Sequence, residues 1–491
     1  MTETSTTRLD PAGQSEKTFF GQPRVLANLF GVEMWERFSF YGMQGILLIY
    51  LYYSAAEGGL GVDKAVASGI VGAYGGGVYL STILGAWLAD RVMGAERTLF
   101  SSAIVVMAGH IALSLIPGLP GVGVGLILVA LGSGGLKATA TSLVGSLYAE
   151  DDDRRDAGFS IFYMGINLGA LVGPLLTGLL QKEWGFHVGF GLAAVGMALG
   201  LLQYSLGRKR LPEETHHVPN PLHTRGRIGY GVAAVGVVGL IVTLVAIDVI
   251  TAARLADIVV WTSAAAAVVY FVVILSSKDI TGVERRRVLA FIPMFIASAV
   301  FWSLYQQQFT VVTIYSDERL NRDLFGWEMP VSWVQSINPI FIIVLAGVFA
   351  AMWTKLGDRQ PSTPVKFALG TMSIGVSFLL FIPMAGGGQN SAPLLGLVGV
   401  LLFFTISELL LSPVGLSLST KLAPRKFHTQ MVALFFLSIA LGTAMSGLLS
   451  GYYDPNSEVP YFGVLGAVAI AVGVVLLLVT KPIRRLMGGV H

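Results

Sequence analysis

Cysteine is missing from all 491 residues of this chain, and charge is scarce: 12% of its residues are Asp, Glu, Lys or Arg. The first absence excludes disulfides, iron–sulfur clusters and thiol catalysis, and assigns no compartment. The second excludes a water-soluble globule, in which roughly 25% of residues are charged. A net charge of +3, spread along the chain without a basic tract, gives nucleic acid no footing. The seven histidines fall mostly in loops or singly (His110, His187, a group within 216–223), with no HExxH and no metal-ligand spacing. GSGGLKAT at 132–139 has the wrong glycine-to-lysine spacing for a phosphate loop and lies in an apolar run, so ATP is not expected as an energy source. Neither an enzyme nor a cofactor is expected.

What the chain does have is apolar length. It is 54% hydrophobic with a mean hydropathy of +0.70. A helix needs about 20 largely apolar residues to cross a bilayer. Candidates fall near 25–53, 67–89, 97–117, 121–146, 158–180, 186–206, 227–249, 255–276, 287–315, 331–355, 364–386, 394–419, 428–450 and 461–481. The longest polar connections, Gly207–Arg227 and Lys278–Arg287, flank the seventh and eighth. The expected fold is therefore an all-α integral membrane protein with fourteen spanning helices. Residues 23–207 and 287–482 form two six-helix bundles, 208–286 carries an inserted helical pair, and polar tails cover 1–22 and 483–491. The first tail leads into a long helix with no small-residue cleavage site, so no removable signal peptide is expected.

Lysine and arginine set the orientation. With the N-terminus inside, only Lys64, Lys182, Arg254, Arg319 and Arg322 fall outside, Arg37 and Lys137 lie at depth, and the rest of the 32 are cytoplasmic. Both termini are then cytoplasmic, in a bacterial plasma membrane. Faint repetition supports two parallel halves. GINLGAL at 165–171 matches SIALGTA at 438–444 in each fifth helix, and GAWLADR at 85–91 matches MWTKLGDR at 352–359 at each second helix end. In transporters built of such repeats the substrate site lies between the halves near the midplane.

Three apolar segments carry charges at depth: VEMWERFSFYG with Glu33, Glu36 and Arg37, LGSGGLKATATS with Lys137, and LLFFTISELLLSPVG with Glu408. Each costs ~2.5–3.5 kcal/mol at a helix centre and must face a cavity or a partner. Glu33 and Arg37, four apart, can pair on one helix face, whereas the adjacent Glu36 and Arg37 are not expected to face each other. Glu36 is left to Lys137, so the four are expected to form one cluster.

These residues also resemble a known family. ExxERFSFYG, through Glu33, Glu36, Arg37, Phe38, Tyr41 and Gly42, is similar to the first-helix signature of the proton-dependent oligopeptide transporters of the major facilitator superfamily. GAWLADRVMGAER resembles the superfamily's loop motif through Gly85, Asp90, Arg91, Gly94 and Arg97. FSIFYMGINLGAL (Phe159 to Leu171), FWSLYQQ, INP at 337–339 and SELLLSPVG at 407–415 match further signatures in order along nearly the whole chain.

The resemblance implies a proton-coupled symporter that imports di- and tripeptides by alternating access. Protons would be handled by Glu33, Glu36, Arg37, Lys137 and Glu408. Glu408 would receive the peptide's ammonium, helped by Asn167 and Asn338, while Lys137 and Arg37 attract its carboxylate. Tyr41, Tyr79, Trp302 and Phe435 would line side-chain pockets, with Gln306 and Ser412 nearby, and Asp90 and Arg91 would form an inner-face latch. The expected partners are peptides, protons and lipid, with a monomer as the working unit. Pro339 and Pro413 are expected to kink their helices. The chain departs from the family's commoner pattern at Gln44, where arginine is frequent, at Phe40, at Gln306, where an acid is frequent, and at Ala138-Thr139. Gln306 removes one titratable group, leaving coupling to Glu33, Glu36 and Glu408. The alternative cargo is another small solute such as nitrate or a drug, since one fold serves many cargoes. Glu408 would repel an anion.

Overall fold

The structure, a computed structural model, describes residues 18–149, 152 and 154–488. Residues 1–17 of the N-terminal tail and 489–491 of the C-terminal tail lie outside the described residues. Apolar runs in which each backbone group must find its partner within the segment fold as helices. The first bundle contains α1 (Val25–Tyr52), α2 (Lys64–Leu88), α3 (Ala95–Leu115), α4 (Gly118–Gly145), α5 (Arg155–Trp184) and α6 (Phe186–Gly207). An extra pair follows, α7 (Thr224–Ala246) and α8 (Leu255–Ser276). The second bundle contains α9 (Gly282–Tyr305), α10 (Val311–Glu318), α11 (Ile337–Leu356), α12 (Thr363–Leu379), α13 (Leu394–Lys421), α14 (His428–Ser450) and α15 (Glu458–Leu478), and the short α16 (Thr480–Met487) ends the described chain.

Among the described residues, 13 helical stretches are long and apolar enough to cross a membrane, with α9 and α10 counted as one. The 28-residue α1 is long enough but carries Glu33, Glu36 and Arg37, which lower its hydropathy. With α1 included, the expected fourteen are present.

Helices α1, α5 and α6 pack together, and α4 packs on both α2 and α3. In the other bundle α12 packs on α13 and α15, α14 on α9, and α11 on α13. The bundles meet where α2 crosses α14 and where α5 meets α11 with the 3-10 turn Val331–Ser336. Small residues allow these approaches, as they do wherever membrane helices must touch. A Cβ on Gly169 of α5 would stand 2.2 Å from the Met34 carbonyl oxygen of α1, and one on Gly72 of α2 would stand 2.7 Å from Gly447 of α14. The motif around GINLGAL is thus a packing surface. Helix α8 packs against α2 and α14, while no residue in the most apolar window of α7 is buried.

Two expectations need correction. The span at 287–315 is not one helix: α9 stops at Tyr305, residues Gln306–Phe309 form a 3-10 turn, and Thr310 (φ −123°, ψ −94°) breaks the path before α10. Side chains take over the backbone groups so released. Gln307 Nε2 donates to the Ser303 carbonyl (3.2 Å), and Thr313 Oγ1 donates to that of Gln308 (2.9 Å). Nor does Pro339 kink a helix. It lies in the first turn of α11, where its missing N–H would have had no helical partner. Pro413 does lie inside α13.

Candidate functional site

Helix α1 supplies the first part of the site. The Arg37 guanidinium meets Glu33 Oε1 through Nη2 at 2.6 Å and Nε at 2.8 Å. It also reaches the adjacent Glu36, with Nε 3.3 Å from Oε2. That corrects the expectation that Glu36 and Arg37 could not meet. A long arginine folded along its own helix can address both neighbours, and all three side chains are buried. Glu36 is fully buried, and its second oxygen accepts from Ser133 Oγ of α4 at 2.8 Å. Glu33 Oε2 and Arg37 Nη1 are buried without a hydrogen-bond partner.

Lys137 stands one turn beyond Ser133 but is not the counter-ion of Glu36. Among the described residues no carboxylate lies within 4 Å of it. Its ammonium instead sits over the rings of Phe40 (5.1 Å) and Tyr79 (5.6 Å), a cation–π arrangement that holds charge without neutralising it. The expected four-member cluster is therefore a three-member ion network with a half-buried lysine beside it.

Rings continue the line into the second bundle. Tyr79 lies 6.5 Å from Trp302 of α9, and Trp302 lies 5.3 Å from Tyr305. The Tyr305 hydroxyl donates to Glu408 Oε2 of α13 and accepts from Asn338 Nδ2 of α11 at 2.9 Å. Glu408 thus has a partner that sequence reasoning missed. The signal was present: Tyr305 follows Trp302 by three in FWSLYQQ, on the same helical face.

The remaining candidates fall as follows. Asn338 bears on Glu408 through Tyr305, whereas Asn167 spends its amide on the Tyr163 carbonyl of its own helix (2.9 Å). Tyr41 stacks on Phe309 at 6.1 Å. The Trp302 indole N–H and Gln44 Oε1 are buried without partners. Gln306 is buried in the broken segment, and Phe435 is buried against Gly415.

A cavity of about 1430 Å³ opens on the face that carries α16. Tyr163, Trp353, Ser412, Lys366, Lys421 and Arg484 are among its lining residues. Of the expected binding residues, Ser412 lies in its wall, one turn along α13 from Glu408. At the opposite face the bundles are fastened. Tyr52 and Tyr53 both donate to Asp317, each at 2.7 Å, and Lys64 pairs with Glu318. Lys182 donates to the Glu328 carbonyl, and the Trp333 indole to that of Leu175 at 2.9 Å. The bundles are bridged at this end, where a cavity of about 620 Å³ lies among Tyr53, Lys182, Asp317 and Glu318, and the larger cavity opens at the other.

Asp90 and Arg91 do not latch the bundles together. Their own contact is loose, at 3.8 Å, and both are tied to the segment before α7. Asn220 Nδ2 donates to Asp90 Oδ1 (2.9 Å), and Arg91 Nη1 donates to the Asn220 carbonyl (3.3 Å). The buried node on this face is Glu96, which the loop motif contains but sequence reasoning passed over. It binds Arg208 at 2.7 Å and His216 at 3.3 Å, tying α3 to the segment that leaves α6.

Two bundles closed over a charged, ring-lined midline define a membrane carrier of the major facilitator type. Residues 96–468 match the profile of the POT family, and the chain belongs to that family. It is 44% identical over 477 residues to the uncharacterized transporter YclF of Bacillus subtilis (strain 168), covering 97% of each chain. It is 42% identical to the di-/tripeptide transporter of Lactococcus lactis subsp. cremoris, covering 97% of this chain and 99% of that one. Its fold superposes with a TM-score of 0.91 on a crystal structure of a mutant peptide transporter POT in complex with alafosfalin, at 45% identity over 96% of this chain and 98% of that one.

Proposed function

We propose that this protein is a proton-coupled symporter that imports di- and tripeptides across a bacterial plasma membrane. In this reading 23–207 and 287–482 rock about the α2–α14 and α5–α11 seams, 208–286 is an insertion, and both termini are cytoplasmic. The carrying observation is that ionisable groups of both bundles lie along one line: Ser133 of α4 holds Glu36, Lys137 one turn further along α4 sits on Tyr79, and Tyr79, Trp302 and Tyr305 lead on to Glu408. The names of relatives, and of a superposed POT family transporter solved with a conjugated peptide, support peptides as the cargo.

The geometry refines the roles. Arg37 is already engaged by two carboxylates, so Lys137, held only by ring faces, is the freer cation for a peptide's carboxylate. Glu408, half-buried and held by one tyrosine, is the anion for its ammonium. Glu33, Glu36 and Arg37 handle the proton together with Glu408. The protein works without a cofactor, as a monomer, and not as an enzyme. A proton is sufficient drive: one charge across ~100 mV is worth ~2.3 kcal/mol, and one pH unit adds ~1.4 kcal/mol. Together they sustain roughly a 500-fold accumulation.

Labelled dipeptide uptake into proteoliposomes, with and without an inward proton gradient, tests this. Accumulation that needs the gradient and collapses with an uncoupler is expected. Equal uptake in both conditions would refute coupling. Uptake of nitrate or a drug in place of dipeptide would establish the alternative cargo, which the basic mouth with Lys366 and Arg484 favours and Glu408 opposes.

A further inference from the structure

We propose that the groove between the end of α2 and the start of α7 binds one anionic phospholipid. The groove holds about 540 Å³. Leu84, Trp87 and Leu88 form one wall and Tyr230, Ala234 and Val237 the other. The two helices touch through Trp87 and Tyr230, whose rings meet edge-on at 5.0 Å. Val92 and Leu222 bound one end of the space, and α7 buries no residue of its most apolar window against protein. In water such a slot would close or wet. In a bilayer the medium that fills it is acyl chain.

Length agrees with this occupant. From Arg227 to Val237 the α7 wall runs ten residues, about 15 Å at 1.5 Å each, which is the depth of one leaflet of a ~30 Å core. The headgroup end is basic. Arg227 lines the groove there, and among the described residues no carboxylate lies within 4 Å of it. Arg225 is exposed two positions earlier, and Arg91 is drawn to the same rim by the bond from Leu222 N to its carbonyl (3.1 Å). Asp90 at this rim is occupied by Asn220 and Arg91. A zwitterionic headgroup would bring its own cation among these arginines, whereas a phosphatidylglycerol brings only the phosphate they can bind. The lipid would seat α7 on α2, a helix that protein contacts alone barely hold.

The test is native mass spectrometry of the delipidated full-length protein, titrated with phosphatidylglycerol or with phosphatidylcholine of the same acyl chains. Wild type should retain one phosphatidylglycerol in preference to phosphatidylcholine. Arg227→Gln should weaken that affinity about five-fold, the worth of one arginine beside an anionic lipid, and leave phosphatidylcholine unchanged. Ala234→Trp, which fills the groove, should remove the preferred lipid while circular dichroism and gel filtration stay those of wild type. Equal retention of the two lipids, or an Arg227→Gln variant that binds as wild type does, would mean ordinary annular lipid and overturn the proposal.

Discussion

Tyr305→Phe removes one oxygen and with it two hydrogen bonds, the donation to Glu408 and the acceptance from Asn338. The ring keeps its place, stacked 5.4 Å from Phe301 and tilted against Phe404 at 6.0 Å, so the fold should survive. A bond to a charged group is worth about 1.5–3 kcal/mol and a neutral one about 0.5–1.5 kcal/mol. Roughly 2–4 kcal/mol of local order around Glu408 is therefore lost. If Glu408 receives the peptide ammonium, its orientation is set by this chain of bonds. Since about 1.4 kcal/mol is a factor of ten, the Kd for a free-amine dipeptide should rise at least ten-fold, measured by calorimetry on purified protein. Asn338→Ala should weaken binding through the same chain, so the double variant should lose less than the sum of the singles, with a coupling of about 0.5–3 kcal/mol. A Kd within two-fold of wild type, or strict additivity, would refute the argument that Tyr305 positions Glu408.

Lys137→Ala and Glu36→Gln should each abolish gradient-driven uptake in proteoliposomes and leave the protein folded; normal accumulation by Lys137→Ala would make the lysine structural. Asp317→Ala removes the acceptor of Tyr52 and Tyr53, and in this cysteine-free chain Ile49→Cys should then label faster with a water-soluble thiol reagent. An unchanged rate would show that the bridged face does not depend on that contact. Free-amine dipeptides should compete for uptake far better than N-acetylated ones, Glu408→Gln should erase the difference, and Gln306→Glu should shift the pH dependence of uptake. Gly169→Leu forces a side chain into the α1 backbone, where a Cβ alone would stand 2.2 Å from the Met34 carbonyl oxygen, so it should lower the yield of folded protein sharply in size-exclusion chromatography.

The helices were legible because the bilayer leaves the backbone so little choice: apolar runs of the right length must fold on themselves. The charges in α1 and the acid at 408 were legible for the opposite reason, since each is too costly at depth to be incidental. Partnership was harder to read. The expectation that Glu36 and Arg37 could not meet rests on where side chains leave a helix, and it fails because arginine is long enough to turn back along the helix surface. Lys137 was assigned to Glu36 by elimination among charges, a procedure blind to the ring faces of Phe40 and Tyr79 that hold it. Tyr305 and Glu408 lie 103 positions apart, on helices that only tertiary packing brings together. The break after Tyr305 left no mark because Gln306 to Gln308 are neutral and the replacement bonds come from side chains, those of Gln307 and Thr313, with the Gln307 amide itself held by the hydroxyl of Tyr461 of α15 (2.6 Å). A sequence therefore displays the cost of a buried polar group far more plainly than what offsets it. In this chain the offsets are rings, hydroxyls and amides, neutral groups that carry no visible sign along the chain. They link the charged residues of one bundle to the acid of the other.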